Sequence, residues 1–343
     1  MDLRSLGADE RLFGAFQTYR EQGLAPARVA TAQRDIYRLL GEEEWTAEAA
    51  GRLRHDGTVP AVGDWVAARV IAPGQAIVEA VLPRRTLFAR RAAGTREERQ
   101  AIAANLDLVF LVCGLDGDFN VRRLERYLAL AAESGAAPVV VLNKADCCAD
   151  LSAAIEDAAA VSGEAPVVAL TAHEGVEELL HFVAGRTVAL LGSSGVGKST
   201  IVNRLLGQER LRTSEVREWD RRGRHTTTHR ELFPLPAGGV LIDTPGMREV
   251  QLWAGEDAVE SAFDEIAELA AACRFRDCSH TGEPGCAVEG TADPARLASF
   301  RKLMAEARHH EVESDRFHTA EKKRKWKVIH KAAKRLYRER EKW

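Results

Sequence analysis

The sequence predicts a multidomain α/β protein: a small N-terminal β-barrel, a doubly wound α/β domain, and a helical C-terminal segment built around a cluster of metal-type ligands. Short alternating apolar stretches, divided by turn residues, occupy the first part of the chain. Near-continuous apolar runs then alternate with amphipathic helical spacing. Beyond Val250 helical spacing is interrupted by three cysteines and a histidine between Cys273 and Cys286. A chain of 343 residues also exceeds what one ordinary core organises, so two or three domains are expected.

Residues 1–25 read as a short amphipathic helix, with Leu12, Phe13, Phe16 and Tyr19 at helical spacing. Strand-like stretches follow at Ala27–Ala32, Ile36–Leu40, Trp45–Leu53, Asp64–Val70 and Ala76–Leu82, with turns at Val62-Gly63-Asp64 and Pro73-Gly74. Five short strands of this kind suit a small antiparallel barrel of OB type, and other small barrels share the pattern. At the exit, Arg84-Arg85, Phe88 and Arg90-Arg91 mix basic and aromatic residues, as in a nucleic-acid track or a plain charged linker. Leu108–Val112 and Val139–Leu142 are continuous apolar runs of the kind buried parallel strands need, with an amphipathic helix at Leu124–Ala132 between them. Val167–Leu170, Val188–Leu191 and Val240–Ile242 are further strands, and Ile201–Leu206 is a helix. The boundaries expected on this reading are 1–95, 96–250 and 251–343.

The middle region carries the chemistry. Gly192-Ser193-Ser194-Gly195-Val196-Gly197-Lys198-Ser199 is a complete G-x-x-x-x-G-K-[ST] loop between a strand and a helix, with Thr200 next in line. Its backbone N–H groups are expected to cradle phosphates, Lys198 to reach the β- and γ-phosphates, and Ser199 to coordinate Mg²⁺. Asn143-Lys144-Ala145-Asp146 is an N-K-x-D at the end of an apolar strand. The Asp146 carboxylate can accept from the ring N–H and exocyclic amine of guanine, a donor pair adenine lacks. Lys144 can lie along the base, Asn143 can tie this loop to the phosphate loop, and Thr171-Ala172 can offer backbone donors to the guanine carbonyl.

Asp243 in Asp243-Thr244-Pro245-Gly246 ends a strand and is expected to hold Mg²⁺ through water, with the Gly246 N–H on the γ-phosphate. Among Thr226, Thr227 and Thr228, Thr227 is chosen to complete the magnesium shell. The N-K-x-D precedes the phosphate loop, the reverse of the usual order, so the domain reads as a circularly permuted P-loop GTPase. A P-loop kinase or ATPase fails on Asn143–Asp146. Met247 stands where Ras-like GTPases carry a water-orienting glutamine, and a thioether cannot do that work. His225 is the candidate to orient the attacking water, against a plain packing or hydrogen-bonding role in the switch.

Cys273-x4-Cys278-x-His280-x5-Cys286 offers three thiolates and an imidazole, a donor set suited to a closed structural Zn²⁺ site; a patch of buried free cysteines is the alternative. Six cysteines so distributed suit a reducing compartment rather than a disulfide framework, and no run approaches the length of a membrane span. A cytoplasmic protein is therefore expected, with no membrane partner. The net charge is -3, yet from Lys322 to Trp343 lysines and arginines face only Glu339 and Glu341. This tail suits an anionic partner such as nucleic acid, or is a solvated helix.

These strings, in this order, resemble the ribosome small-subunit-dependent GTPase A family, RsgA, also called YjeQ: Asn143–Asp146, Leu191–Thr200, Gly223–Leu232, Ile242–Met247 and Cys273–Cys286, with Arg122–Leu128 also similar. The resemblance runs from about residue 5 into the basic tail. It implies an N-terminal OB domain, a permuted GTPase domain and a C-terminal zinc domain. It also implies a role in late maturation of the small ribosomal subunit, with contacts to its rRNA and GTP hydrolysis to GDP stimulated by that particle. The protein is expected to act as a monomer. A binding module that uses GTP as an assembly cofactor, with incidental hydrolysis, is the second reading.

Overall fold

The computed structural model describes residues 2–33, 35–55, 58–91, 99–208, 230–243 and 254–309. Helix α1 (Glu10–Glu21) is capped by Asp9, whose carboxylate accepts from the Leu12 N–H at 2.9 Å, and it buries Phe16. Strands β1 (Ala25–Gln33), β2 (Ile36–Leu40), β3 (Glu44–Ala49), β4 (Trp65–Ala72) and β5 (Gln75–Val81) close in the order β1-β2-β3-β5-β4-β1. All pairings are antiparallel except β3 with β5, and the barrel is of OB type. Trp45–Leu53, expected as one strand, stops at Ala49; Gly51–His55 is a short helix, α2. Leu53 is thereby turned into the barrel core beside Tyr37, Trp45 and Val78. Burial of one leucine at the barrel's end outweighs the strand-like alternation.

A hairpin of β6 (Leu87–Arg91) and β7 (Arg99–Ala104) follows, across the expected 95/96 boundary. In the basic–aromatic segment the residues Arg84, Arg85 and Phe88 are engaged within the fold. Phe88 is buried, Arg84 pairs with the buried Asp64 at 2.7 Å, and Arg85 pairs with Asp107 and Asp9 at 3.0 and 3.3 Å. Burial pushes the Asp64 carboxyl pKa up, and the Arg84 guanidinium opposes that shift.

The α/β domain contains β8 (Leu108–Gly114), α3 (Val121–Ser134), β9 (Ala137–Asn143), α4 (Leu151–Ser162), β10 (Val167–Leu170), α5 (Glu177–Val183), β11 (Thr187–Leu191), α6 (Lys198–Leu206), β12 (Glu231–Pro234) and β13 (Val240–Asp243). Its sheet runs β10-β9-β8-β11-β13-β12, parallel except for the last pair. The sheet does not end there. β12 pairs antiparallel with β1 at Thr31↔Glu231, so barrel and α/β sheet are continuous, and Arg38 pairs with Glu231 at 2.8 Å beside the join. One hydrophobic core also spans both, from Ala30, Trp65 and Leu82 through Phe88 and Ile102 to Val109, Leu111 and Leu124.

Arg28 clasps this junction. Its guanidinium donates to the carbonyls of Gly63 and Asn105, both at 3.2 Å, and of Leu6, and lies 5.3 Å from the Trp65 ring centroid. Burial lowers its pKa to about 10. Gly63 has φ +90° and sits against the Ala104 carbonyl, where a Cβ has no room.

The C-terminal segment contains α7 (Glu256–Ser261), α8 (Asp264–Ala270), the Cys/His loop and α9 (294–309). Its small core of Val259, Phe263, Ile266, Val288, Leu297 and Phe300 takes in Ala129 of α3. No helix among the described residues is long and apolar enough to cross a membrane.

Candidate nucleotide site and metal centre

The phosphate loop leaves β11, whose five residues are all buried, and enters α6. Gly195 and Gly197 have φ of +84° and +94°, left-handed conformations that turn successive N–H groups inward. Gly197 is the N-cap of α6 and makes no side-chain cap bond, so the first-turn N–H groups and the positive end of the helix dipole face the loop. The Lys198 ammonium lies across the loop, donating to the carbonyl of Gly192 at 2.7 Å and to that of Ser193.

The loop carrying Asn143–Asp146 reaches the same end of the sheet because β9, β8 and β11 are parallel neighbours. Asn143, only 2% exposed, joins three segments. Its Nδ2 donates to the Val196 carbonyl at 2.8 Å, and its Oδ1 accepts from the Ala172 N–H at 3.0 Å. The expected tie between the two loops is thus a direct bond. The Ala172 N–H, expected to face a base carbonyl, here fixes Asn143. Thr171 Oγ1 donates to Asp146 Oδ1 and accepts from the Asp146 N–H, both at 3.3 Å, so the threonine orients the exposed carboxylate. Lys144 adopts φ +63°, and its ammonium pairs with Asp116.

Asp243 ends β13, next to β11 in the sheet. Ser199 lies in the first turn of α6. Thr226, Thr227, Thr228, His225, Gly246 and Met247 lie outside the described residues, as does the basic tail from Lys322 to Trp343.

Sequence reasoning missed three residues around the phosphate loop. Asp116 pairs with Lys144; Arg123 Nη1 donates to Ser193 Oγ at 2.5 Å; Tyr127 Oη lies 3.3 Å from the same hydroxyl. The position of Leu115-Asp116-Gly117-Asp118 at the carboxyl end of an apolar strand, where α/β sheets bind ligands, is the signal that could have found the first. Arg123 and Tyr127 lie in the family-like string Arg122–Leu128, which does not reveal Ser193 as their partner.

At the metal centre one donor atom from each of Cys273, Cys278, His280 and Cys286 comes within 4.8 Å of the others. His280 Nδ1 lies 3.6 Å from Cys273 Sγ and 3.5 Å from Cys286 Sγ. The Ala287 and Glu289 N–H groups donate to the Cys273 and Cys286 sulfurs at 3.3 and 3.4 Å, as outer contacts that steady thiolate ligands. Burial holds His280 below the ordinary histidine pKa, in the neutral form that ligates. Glu283 accepts from the Ser279 hydroxyl and from the Thr281 and Ser279 N–H groups, which together draw its pKa down to about 2 and brace the loop. The four donors are gathered as a metal ion would require.

A P-loop and an N-K-x-D met in reversed chain order on one parallel sheet define a circularly permuted GTPase. A family model described as RsgA GTPase matches residues 81–253. Curated proteins named small ribosomal subunit biogenesis GTPase RsgA are similar along the chain. The one from Opitutus terrae is 47% identical over 366 aligned positions, covering 100% of both chains. The one from Xylella fastidiosa strain 9a5c is 55% identical over 300 positions, covering 82% of this chain and 85% of its own. Among solved structures, YjeQ from Thermotoga maritima aligns with TM-score 0.66 and 25% identity over 83% of this chain and 98% of its own. YloQ, described as a circularly permuted GTPase, shares the fold with TM-score 0.62 and 21% identity, over 84% and 96%. The chain belongs to the RsgA GTPase family.

Proposed function

We propose that this GTPase acts in biogenesis of the small ribosomal subunit, bound to the particle with GTP and released when hydrolysis follows correct assembly. The observation that carries the guanine reading is the Asn143 bridge, which makes the base loop and the phosphate loop one structure. In this reading Asp146 accepts from the guanine edge, Lys144 lies along the base, and Thr171 and Ala172 hold those residues in place. The loop from Gly192 to Gly197, with Lys198, Ser199 and Thr200, receives the phosphates. Ser199, Asp243 and Thr227 would hold Mg²⁺, which would offset negative charge on the phosphate oxygens. The Gly246 N–H would meet the γ-phosphate.

Cys273, Cys278, His280 and Cys286 suit zinc, since four converging soft donors leave no open catalytic position. The division of labour follows segments 1–95, 96–250 and 251–343, with the outer two facing rRNA. The protein works as a cytoplasmic monomer.

Single-turnover GTP hydrolysis with and without purified small subunits tests this. Acceleration by orders of magnitude is expected; unaltered turnover on saturating particles would leave only the binding-module reading. In the same assay His225→Ala should retain GTP affinity but lose about 10²-fold of the stimulated rate if the imidazole orients water. A variant that matches the parent there removes His225 from the reaction. Binding to particles should also weaken steeply with salt, and deleting residues 322–343 should flatten the dependence. An unchanged slope would make the tail a solvated helix.

A further inference from the structure

Helix α3 lies between the phosphate loop and the C-terminal segment and makes polar contacts with both. Asn120 caps its N-terminus, accepting from the Arg123 N–H at 3.1 Å. One turn in, the Arg123 guanidinium forks. Nη1 reaches Asp118 Oδ1 and Oδ2 at 2.9 and 3.1 Å and Ser193 Oγ at 2.5 Å, while Nη2 donates to the Asp118 carbonyl at 2.9 Å. Tyr127, on the next turn, closes on the same serine hydroxyl. Ser193 is the second residue of the phosphate loop, and its carbonyl is one of the two that receive Lys198. A shift of Arg123 is therefore felt at the phosphate-binding lysine through one residue.

The same helix anchors the C-terminal segment. Glu125, fully buried, pairs with Arg296 at 3.1 Å; Arg296 also pairs with Glu265 and lies 4.2 Å over the Phe263 ring. Arg126 makes a bidentate pair with Glu306 at 2.7 and 2.9 Å. Glu133 accepts from the Gly255 N–H at 3.0 Å, and Ala129 belongs to the segment's own core. Leu124, Leu128 and Ala131 meanwhile sit in the main core. Buried on both sides, α3 has no slack to absorb a shift locally, because packed interiors transmit displacement.

We infer that Arg123 is a positioning residue of the GTP site, and that through α3 it links occupancy of the phosphate loop to the seating of the metal-bearing segment. This rests on the GTP-binding reading above. The link is distinct from the chain connection through residues 244–253, because it runs through side chains of a helix earlier in the sequence. By reciprocity, loosening the segment's hold on α3 must alter nucleotide affinity by the same factor with which nucleotide alters that hold.

The test uses the full-length, metal-loaded chain, a non-hydrolysable GTP analogue, and hydrogen exchange read at Glu256–Ser261 and in α9. In the parent protein the analogue should change exchange at both places. Arg123→Ala should still bind analogue, about 3–10-fold more weakly, with the exchange response lost. Arg123→Lys should behave like the alanine variant, since one ammonium cannot hold Asp118 and Ser193 in a planar fork. Glu306→Gln, on the part-buried Arg126 pair and not in the phosphate loop, should shift analogue affinity by about 2–5-fold. A full exchange response in Arg123→Ala, or no response in a parent that binds the analogue, overturns the proposal. A parent that binds no guanine nucleotide defeats the GTP reading instead.

Discussion

Asp146→Asn is expected to lower GTP affinity by on the order of 10²-fold or more while admitting xanthosine triphosphate. The carboxylate accepts from two guanine donors, the ring N–H and the exocyclic amine. An amide keeps one acceptor and presents an N–H₂ where the second was, which opposes guanine but matches the carbonyl that xanthine carries at that position. The fold should tolerate the change. Thr171 Oγ1 is donor and acceptor at once in its two 3.3 Å contacts with Asp146, and a hydroxyl can rotate to suit an amide. Titration with both nucleotides, alongside a thermal scan showing an unmoved transition, checks this. Unchanged GTP affinity would remove Asn143–Asp146 from base recognition.

Metal removal should have the other large effect. Zinc is expected at about one ion per chain, and structural zinc contributes about 10–16 kcal/mol of apparent binding free energy in finger peptides. The C-terminal segment has only a small core of its own, so Cys278→Ser or chelation should unfold it locally. The main core, the phosphate loop and Asn143 lie outside it, so GTP binding should persist, shifted only modestly through α3, while particle binding is lost. Elemental analysis of protein purified without chelator, nucleotide titration and co-sedimentation with small subunits check the three parts. Loss of GTP binding along with particle binding would show that the nucleotide core depends on the metal.

What the sequence made legible follows the range of the interactions involved. Gly192–Ser199, Asn143–Asp146 and Cys273–Cys286 are each local, because one short segment must present several groups to one ligand. Flanking apolar runs then place them at strand ends. Partners far apart in the chain were not legible. The pairing of Arg84 with Asp64 is one of these, since the two are twenty residues apart across a barrel turn. Arg123 and Ser193 are separated by 70 positions, and nothing in either segment announces the other. α2 was hidden for another reason: Leu53 continues the alternation of β3, and only closure of the barrel decides that it turns inward on a helix. The hairpin β6–β7 carries no strand signal of its own, because its apolar residues Phe88, Ile102 and Ala103 pack into the core shared by barrel and α/β domain.

The pairing of β12 with β1 constrains how this protein can be dissected. A fragment beginning near residue 96 would uncover the outer edge of β12, exposing unpaired main-chain groups, and would strip apolar cover, Phe88 included, from Ile102. An uncovered strand edge beside apolar surface is a template for aggregation. Inactivity of such a truncation would then report insolubility, and could not be credited to lost RNA contacts. The barrel's contribution is better probed by single neutralising changes on its solvent side, such as Arg69→Gln or Arg52→Gln, each of which leaves Glu79 one arginine partner and the β1–β12 join untouched.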